Sequence, residues 1–443
     1  MANHAITHTF RGVLYIPTAW VSLCLFTTKA VEGLELRNRQ KPDTPLFLCS
    51  KRNINLTSPI LGVWRTSLQK RMNHDELKYK VFDWLRFPLI VFVVYIHSFE
   101  KPIDFYAIDF SNPMPMDYYN LFRISISHVL THIAVPMFFF ISGFLFFNKL
   151  QEWNRTVYFD KLKKRIKTLL IPFIIWNTIK IMLKVQSMIR HDGFDSLWTY
   201  MDDNNVIALY WNSHTWNLDR TDWFGLLTPS SSPYLVPLWY LRDLMVTMVL
   251  SPILYYLFKY AKIWGLALLF FSYISLIGIK VPGFSTTALF FFGTGAYFNL
   301  NKIDPTQFTW KYKNFFYGLA IILWLIVARF DGHNTPTGNL IYPFYIITGS
   351  IAMFNLATTF VKNGRSFPKI LTQSTFFVYL AHTILITSIS IGVMRKIFGE
   401  GNALSLSIGY FLAPILTVTI CVVGYWILKR YLPKFCGILT GER

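Results

Sequence analysis

The sequence predicts an all-α, polytopic membrane protein of about ten transmembrane helices with both termini cytoplasmic. Three observations predict it. Hydrophobic residues make up 53% of the 443-residue chain and aromatic residues 18%, while charged residues reach only 15%. Apolar runs of about 17–23 residues, each long enough to cross a bilayer, recur from residue 80 onwards. Lysine and arginine gather in alternate connections between these runs, as they do on the cytoplasmic side of membrane proteins.

The spans follow at about 81–99, 128–148, 168–185, 237–258, 262–279, 283–300, 313–330, 339–361, 371–393 and 404–428. Connections on one side carry Lys149, Arg155, Lys161, Lys163, Lys164, Arg165 and Lys167, then Lys259 and Lys262, Lys302, Lys311 and Lys313, Lys362, Arg365 and Lys369, and finally Lys429, Arg430 and Lys434. The connections on the other side, 100–127 and 186–236, are poor in cations, and Arg395 with Lys396 is a local exception. The net charge of +20 is therefore the charge of cytoplasmic loops, and nucleic acid is not expected as a partner. Residues 1–71 differ in composition: one weakly apolar piece precedes a polar, basic stretch. They read either as a disordered extension or as upstream sequence ahead of Met72. The membrane domain is expected over 78–430 and a cytoplasmic tail over 431–443, and no soluble catalytic domain is expected. The cysteines Cys24, Cys49, Cys421 and Cys436 have neither metal spacing nor a disulfide framework and read as inert thiols.

Chemistry is signalled first by "RFPLIVFVVYIH", Arg86 to His97. Eleven residues of helix make three turns plus roughly 20°, so both side chains lie on one face, about 16 Å apart along the axis. Ionisable groups on one intramembrane stripe mark a functional cavity; the bland alternative is a snorkelling arginine and a surface histidine. The second span contains Ser142 and Gly143, which either let helices approach closely or supply a hydroxyl. The basic segment "DKLKKRIKT" serves retention on the cytoplasmic side or grips phosphate groups. Trp239, Arg242 and Asp243 open the fourth span in "LWYLRDL", where an ion pair anchoring the helix is the preferred reading. His382, in "VYLAHT", reads as a cavity or packing residue. His128 and His132 sit one turn apart but lack a third ligand, so no metal is expected. The long 186–236 loop sets Trp198, Tyr200, Tyr210, Trp211, Trp216 and Trp223 among Asp192, Asp195, Asp202, Asp203, Asp219 and Asp222. Sugar stacking and a membrane-interface aromatic belt both fit that composition.

Taken in order, "FDWLRFPLIVFVVYIHS", "VPMFFFISGFLF", the basic loop, "LWYLRDL", "FFFGTGAYF" and "VYLAHT" resemble the acyltransferase 3 family of integral membrane O-acyltransferases, over about residues 78–430. The resemblance implies transfer of an acyl group, most often acetyl or succinyl, from cytoplasmic acyl-CoA to a hydroxyl of a cell-surface glycan or lipid-linked precursor. It implies that His97 is the catalytic histidine, Arg86 its basic partner, and Ser142 with Gly143 the family's Ser-Gly site. The family's arginine-rich loop is altered here to Lys164, Arg165 and Lys167, which with Arg86 form the expected grip on the donor. Gly143, Trp239, Arg242, Asp243 and His382 are the expected substrate-side residues. No permanently bound cofactor is expected, since acyl-CoA is a donor substrate. The expected setting is the inner (cytoplasmic) membrane of a bacterial cell.

In that chemistry neutral His97 removes the acceptor hydroxyl proton, a role typically contributing about 10²–10⁴-fold. Ser142 orients His97, donates to the thioester oxygen, or forms an acyl-serine. What orients the imidazole stays open, with Glu100 and Asp243 as the carboxylates to consider. The rival readings are a transporter or flippase of lipid-linked sugars, and a polymerase or ligase of surface polysaccharide; broken helices and repeats of the transporter kind are not evident.

Overall fold

The computed structural model describes residues 74–98, 103, 105–148, 150, 152–194, 205–221, 227–275, 281–332 and 335–442. The extension expected over 1–71, Glu100, Trp198, Tyr200, Trp223, Asp195, Asp202, Asp203, Asp222 and the side chains of Trp216 and Asp219 lie outside them. Among the described residues the fold is helical, with one two-stranded hairpin. Seven helices among the described residues are long and apolar enough to cross a membrane by length and composition.

Helix α1 (His74–His97) starts earlier than its apolar stretch, because the polar "HDELKYK" turns are helical too and close with an i,i+4 ion pair, Lys80–Glu76 at 2.7 Å. Pro88 lies inside α1 without ending it, as membrane helices allow. Helix α2 (Pro115–Phe146) also begins ahead of the expected span. Pro115 sits where a missing N–H is harmless, and the Asp117 carboxylate accepts from the Met114 N–H at 2.9 Å. A π-helical turn (Ile124–Val129) and a 3₁₀ turn (Leu130–Ile133) interrupt it. Helix α3 (Arg155–Asp192) is capped by the Asn154 side chain at Val157 N–H, holds a second π turn at Ile166–Leu170, and stops at Gly193, where φ is +83°.

The region read as a long loop is partly ordered structure. It holds α4 (Val206–Trp211) and an antiparallel hairpin of β1 (His214–Thr221) and β2 (Leu227–Ser232), in which His214 pairs with Ser232 and the register shifts between Asn217 and Thr221. The stretch expected as one span over 237–258 is broken: α5 (Trp239–Val249) ends, and α6 (Ser251–Ile274) starts afresh with Pro252 in its first turn. Proline has no N–H to continue the helical ladder. Within α6 the backbone breaks again at Lys262, φ +48°, at the connection expected between the fourth and fifth spans. Helices α7 (Thr286–Leu300), α8 (Lys313–Arg329), α9 (Pro336–Lys362), α10 (Lys369–Phe398) and α11 (Ala403–Tyr431) follow, with a third π turn at His382–Ile386 inside α10. The expected tail contains α12 (Pro433–Thr440), which lies against α3: the Trp176 indole N–H donates to the Leu439 carbonyl at 3.0 Å. Burial raises the Cys436 thiol on α12 above its ordinary range, against a smaller opposing pull from Lys429, which fits an inert thiol.

Helix α1 is the hub. It packs on α2, α9, α10 and α11, and Leu85, Leu89 and Val94 are fully enclosed. Its first half is tied to the basic side of the molecule. Trp84 stacks on Phe360 of α9 at 5.2 Å and meets Phe367, and the Tyr79 hydroxyl donates to Asn148 just past α2. Helices α2 and α7 approach closely because glycines face backbone: a Cβ on Gly143 would lie 2.0 Å from the Phe292 carbonyl oxygen, and one on Gly295 2.1 Å from that of Phe140.

Candidate active site

His97 is the last residue of α1, where the helix end carries partial negative charge. Its half-buried ring stands 5.3 Å, centroid to centroid, from the wholly buried ring of His382, with 49° between the planes. His382 opens the π turn of α10. Its Nδ1 lies 3.0 Å from the Val378 carbonyl oxygen and 2.8 Å from that of Tyr379. Carbonyl oxygens only accept, so Nδ1 carries the proton and Nε2 the lone pair. That Nε2 is buried and has no hydrogen-bond partner.

A π turn leaves carbonyls out of the regular ladder, and such turns concentrate at functional sites. Here side chains brace the turn at its carbonyls, one of which, that of His382, also accepts from the Thr387 backbone N–H. Lys180 of α3 reaches across with its ammonium to the Ile384 carbonyl at 2.9 Å and the Thr383 carbonyl at 3.5 Å, and the Thr387 hydroxyl donates to the His382 carbonyl at 2.7 Å.

Arg86 lies on the same unbroken helix as His97, about three turns earlier. Its guanidinium meets Asp83 at 2.9 Å, with 41% of its side chain exposed. Ser142 does not bond to His97. Its hydroxyl lies 3.4 Å from that of Tyr240 on α5, whose ring packs edge-on to Tyr379 at 5.8 Å; the Tyr379 hydroxyl in turn donates to the Pro237 carbonyl. Because Tyr379 also supplies a carbonyl to His382, a polar-aromatic path links Ser142 to the histidines. Gly143 is accounted for by its contact with Phe292.

At the start of α3, Lys164 is exposed, Arg165 half-buried, and Lys167 pairs with Glu442 at 2.7 Å. The neighbouring Lys161 donates to the Phe146 carbonyl at 2.7 Å and so closes the end of α2. Trp239 is half-buried at the head of α5. Arg242 and Asp243 are buried against each other, and Arg242 spends its other donors on the Trp211 carbonyl and on Ser231. Asn177 of α3 adds two bonds, donating to the Leu209 carbonyl and accepting from the Leu235 N–H. These residues fasten the α4–hairpin insertion to the bundle.

His128 and His132 part company. His128 joins Asp331 at 2.5 Å and His132 joins the Tyr342 hydroxyl at 2.5 Å. Among the described residues no group of three or more histidine, cysteine or acidic side chains could hold a metal. Sequence reasoning missed Tyr240, Tyr379 and Lys180. Both tyrosines stand inside the quoted "LWYLRDL" and "VYLAHT" segments, and Lys180 is a lone cation inside the third apolar run, itself a signal.

Fold and site together define a multi-pass membrane protein with two neighbouring imidazole rings, one half-buried and one buried, where α1 meets α10. The chain belongs to the acyltransferase 3 family: the family's acyltransferase domain matches residues 79–426. It is an acyltransferase enzyme. It is also similar to the succinoglycan biosynthesis protein ExoH of Rhizobium meliloti (strain 1021), with 25% identity over 334 residues, 72% of this chain and 82% of that protein. No solved structure matches the chain.

Proposed function

We propose that the enzyme moves an acyl group, acetyl or succinyl, from cytoplasmic acyl-CoA to a hydroxyl of a cell-surface glycan or its lipid-linked precursor, in the inner membrane with both termini cytoplasmic. The observation that carries this reading is the His97–His382 pair at the far end of the helix that bears Arg86. Family membership favours transfer over the transporter or flippase reading, and the ExoH relative, a succinoglycan biosynthesis protein, supports a polysaccharide acceptor. The orientation rests on the basic connections.

Arg86, Lys164, Arg165 and Lys167 hold the phosphates of the donor, with Asp83 and Glu442 giving up their cations to them. The pantetheine arm then carries the thioester along α1 to His97. His97 takes the proton of the acceptor hydroxyl as its oxygen attacks the thioester carbon. A C–O bond forms, the C–S bond breaks, and His97 returns the proton to the departing sulfur. The products are an ester and CoA thiol, with no net proton gained or lost. The test is transfer of radiolabelled acetyl- and succinyl-CoA into alkali-labile ester by membranes containing the protein. His97→Ala is expected to abolish incorporation while the protein accumulates normally, and full incorporation by that variant removes His97 from the chemistry.

A further inference from the structure

We propose that His382 is the positioning partner of His97: its Nε2 accepts a hydrogen bond from the His97 N–H, which turns the other ring nitrogen of His97, with its lone pair, towards the acceptor hydroxyl. This rests on the acyl-transfer reading of His97 given above.

A histidine base works in one tautomer and one orientation, and a hydrogen bond to its far nitrogen fixes both. A carboxylate usually accepts that bond. Among the described residues, Asp243 is committed to Arg242, Asp331 to His128, and Asp83 to Arg86 at the other end of the stripe; Glu100 lies outside them. His382 offers the required acceptor instead. Its Nδ1–H is spent on the Val378 and Tyr379 carbonyls, so Nε2 accepts only, and it is enclosed without a partner. Buried acceptors are rarely left unpaired.

Proton counting says which donor completes it. An acceptor hydroxyl carries one proton, and that proton goes to His97. His382 therefore takes its hydrogen bond from something else, and the neighbouring ring is His97 itself. Two imidazoles joined nitrogen to nitrogen at ordinary hydrogen-bond length have centroids about 5 Å apart, against 5.3 Å here. The bond is not made in the structure, since Nε2 of His382 has no partner, and a rotation of the half-buried His97 ring is the movement that closes it. His382 is the fixed member. Two backbone carbonyls hold its ring, Thr387 and Lys180 hold the π turn that displays it, and Tyr379 is pinned to Pro237. The intramembrane ammonium of Lys180 thus has a definite role, keeping the π turn open so that His382 faces α1.

Two measurements decide the matter. The first needs neither substrate nor variant: the ¹⁵N shifts of histidine-labelled wild-type protein in detergent. The expected result is one tautomer for His97 and an Nδ1–H tautomer for His382. Exchange of His97 between both tautomers, or an Nε2–H on His382, overturns the proposal. This arm stands even if the protein proves unable to use acyl-CoA, so the two readings fail separately. The second measures acyl incorporation from acetyl- or succinyl-CoA into crude surface polysaccharide. His382→Leu is expected to lower kcat at least about 10- to 100-fold, the loss seen when the partner orienting a metal-bound imidazole is removed, at unchanged KM for acyl-CoA. His382→Gln, whose amide oxygen can still accept, recovers most of the loss. Unchanged activity in His382→Leu overturns the proposal. So does His382→Gln as inactive as His97→Ala, because His382 would then be the base. Should the His382 variants not accumulate, Lys180→Met tests the same turn. It is expected to lower kcat alone with recovery by Lys180→Arg, and wild-type kcat in Lys180→Met counts against the proposal.

Discussion

Arg242 and Asp243, adjacent in sequence, close on each other inside α5: the Asp243 carboxylate accepts from both Nε and Nη2 of Arg242 at 2.9 Å, with both side chains at or below 5% exposure. The same guanidinium reaches the Trp211 carbonyl and Ser231, so one buried charge pair joins α5, α4 and β2. Removing one partner of such a pair strands the other charge, at a cost of about 3–5 kcal/mol. Arg242→Ala is therefore expected to lower the melting temperature and the yield of monodisperse detergent-purified protein. Arg242→Lys does not restore it, because an ammonium cannot fork to Asp243 and Ser231 together. An Arg242→Ala protein that melts like wild type yet transfers no acyl group would put the pair in the chemistry instead.

Gly143 and Gly295 make a second structural demand. A methyl group at either would press into backbone of the facing helix, which cannot swing away as a side chain can. Overpacking of this kind typically costs about 1–3 kcal/mol, sometimes more. Gly143→Ala and Gly295→Ala are each expected to reduce thermal stability, whereas Gly392→Ala, with nothing within 4 Å, is expected to be neutral or mildly stabilising. Equal melting temperatures across the three would refute the close-approach account of the Ser-Gly motif.

What was legible in the sequence follows from what is local. Each stretch read as a span contains helix, because apolar length and flanking cations are properties of neighbouring residues. The Arg86–His97 stripe was legible for the same reason, since a helix repeat fixes which residues share a face. The break at Leu250 was not, because Pro252 sits in an apolar run that reads smoothly through it. The π turn at His382 was invisible: Lys180 from another helix bonds to its Ile384 carbonyl, and no local pattern announces that contact. His382 was accordingly read as a cavity or packing residue, and that its ring stands 5.3 Å from that of His97 depends on the docking of α10 on α1. Ser142 was expected near His97 and bonds to Tyr240, a partner that only the docking of α5 on α2 supplies.

The Arg86–Asp83 pair is where the proposed grip on the donor can be tested. At 41% and 61% exposure it adds little to stability, as surface pairs generally contribute about 0–1 kcal/mol. Arg86→Gln is expected to leave the melting temperature nearly unchanged and to raise KM for acyl-CoA about tenfold, the effect of losing one charge-assisted phosphate contact. Asp83→Asn frees the guanidinium and is expected to lower that KM or leave it unaltered. Saturation curves in acyl-CoA check both, and an Arg86→Gln enzyme with wild-type KM but reduced kcat would move Arg86 from donor binding to the reacting centre.

Ser142 offers the sharpest distinction between direct transfer and an acyl-enzyme. A serine nucleophile needs a base within hydrogen-bond reach, and the hydroxyl beside Ser142 belongs to Tyr240 at 3.4 Å, a poor base. Direct attack by the acceptor hydroxyl, with Ser142 and Tyr240 acting together as a polar support, is the consistent outcome. Three results are expected. Mass spectrometry of protein incubated with acyl-CoA, without acceptor, finds no acylated Ser142 peptide. Ser142→Ala and Tyr240→Phe each reduce transfer only partly. The double variant is no worse than the more impaired single one, because residues that act through one shared contact are not additive. An acylated Ser142 that disappears when polysaccharide is added would reverse this order of events and make the serine, rather than the sugar hydroxyl, the first group to receive the acyl chain.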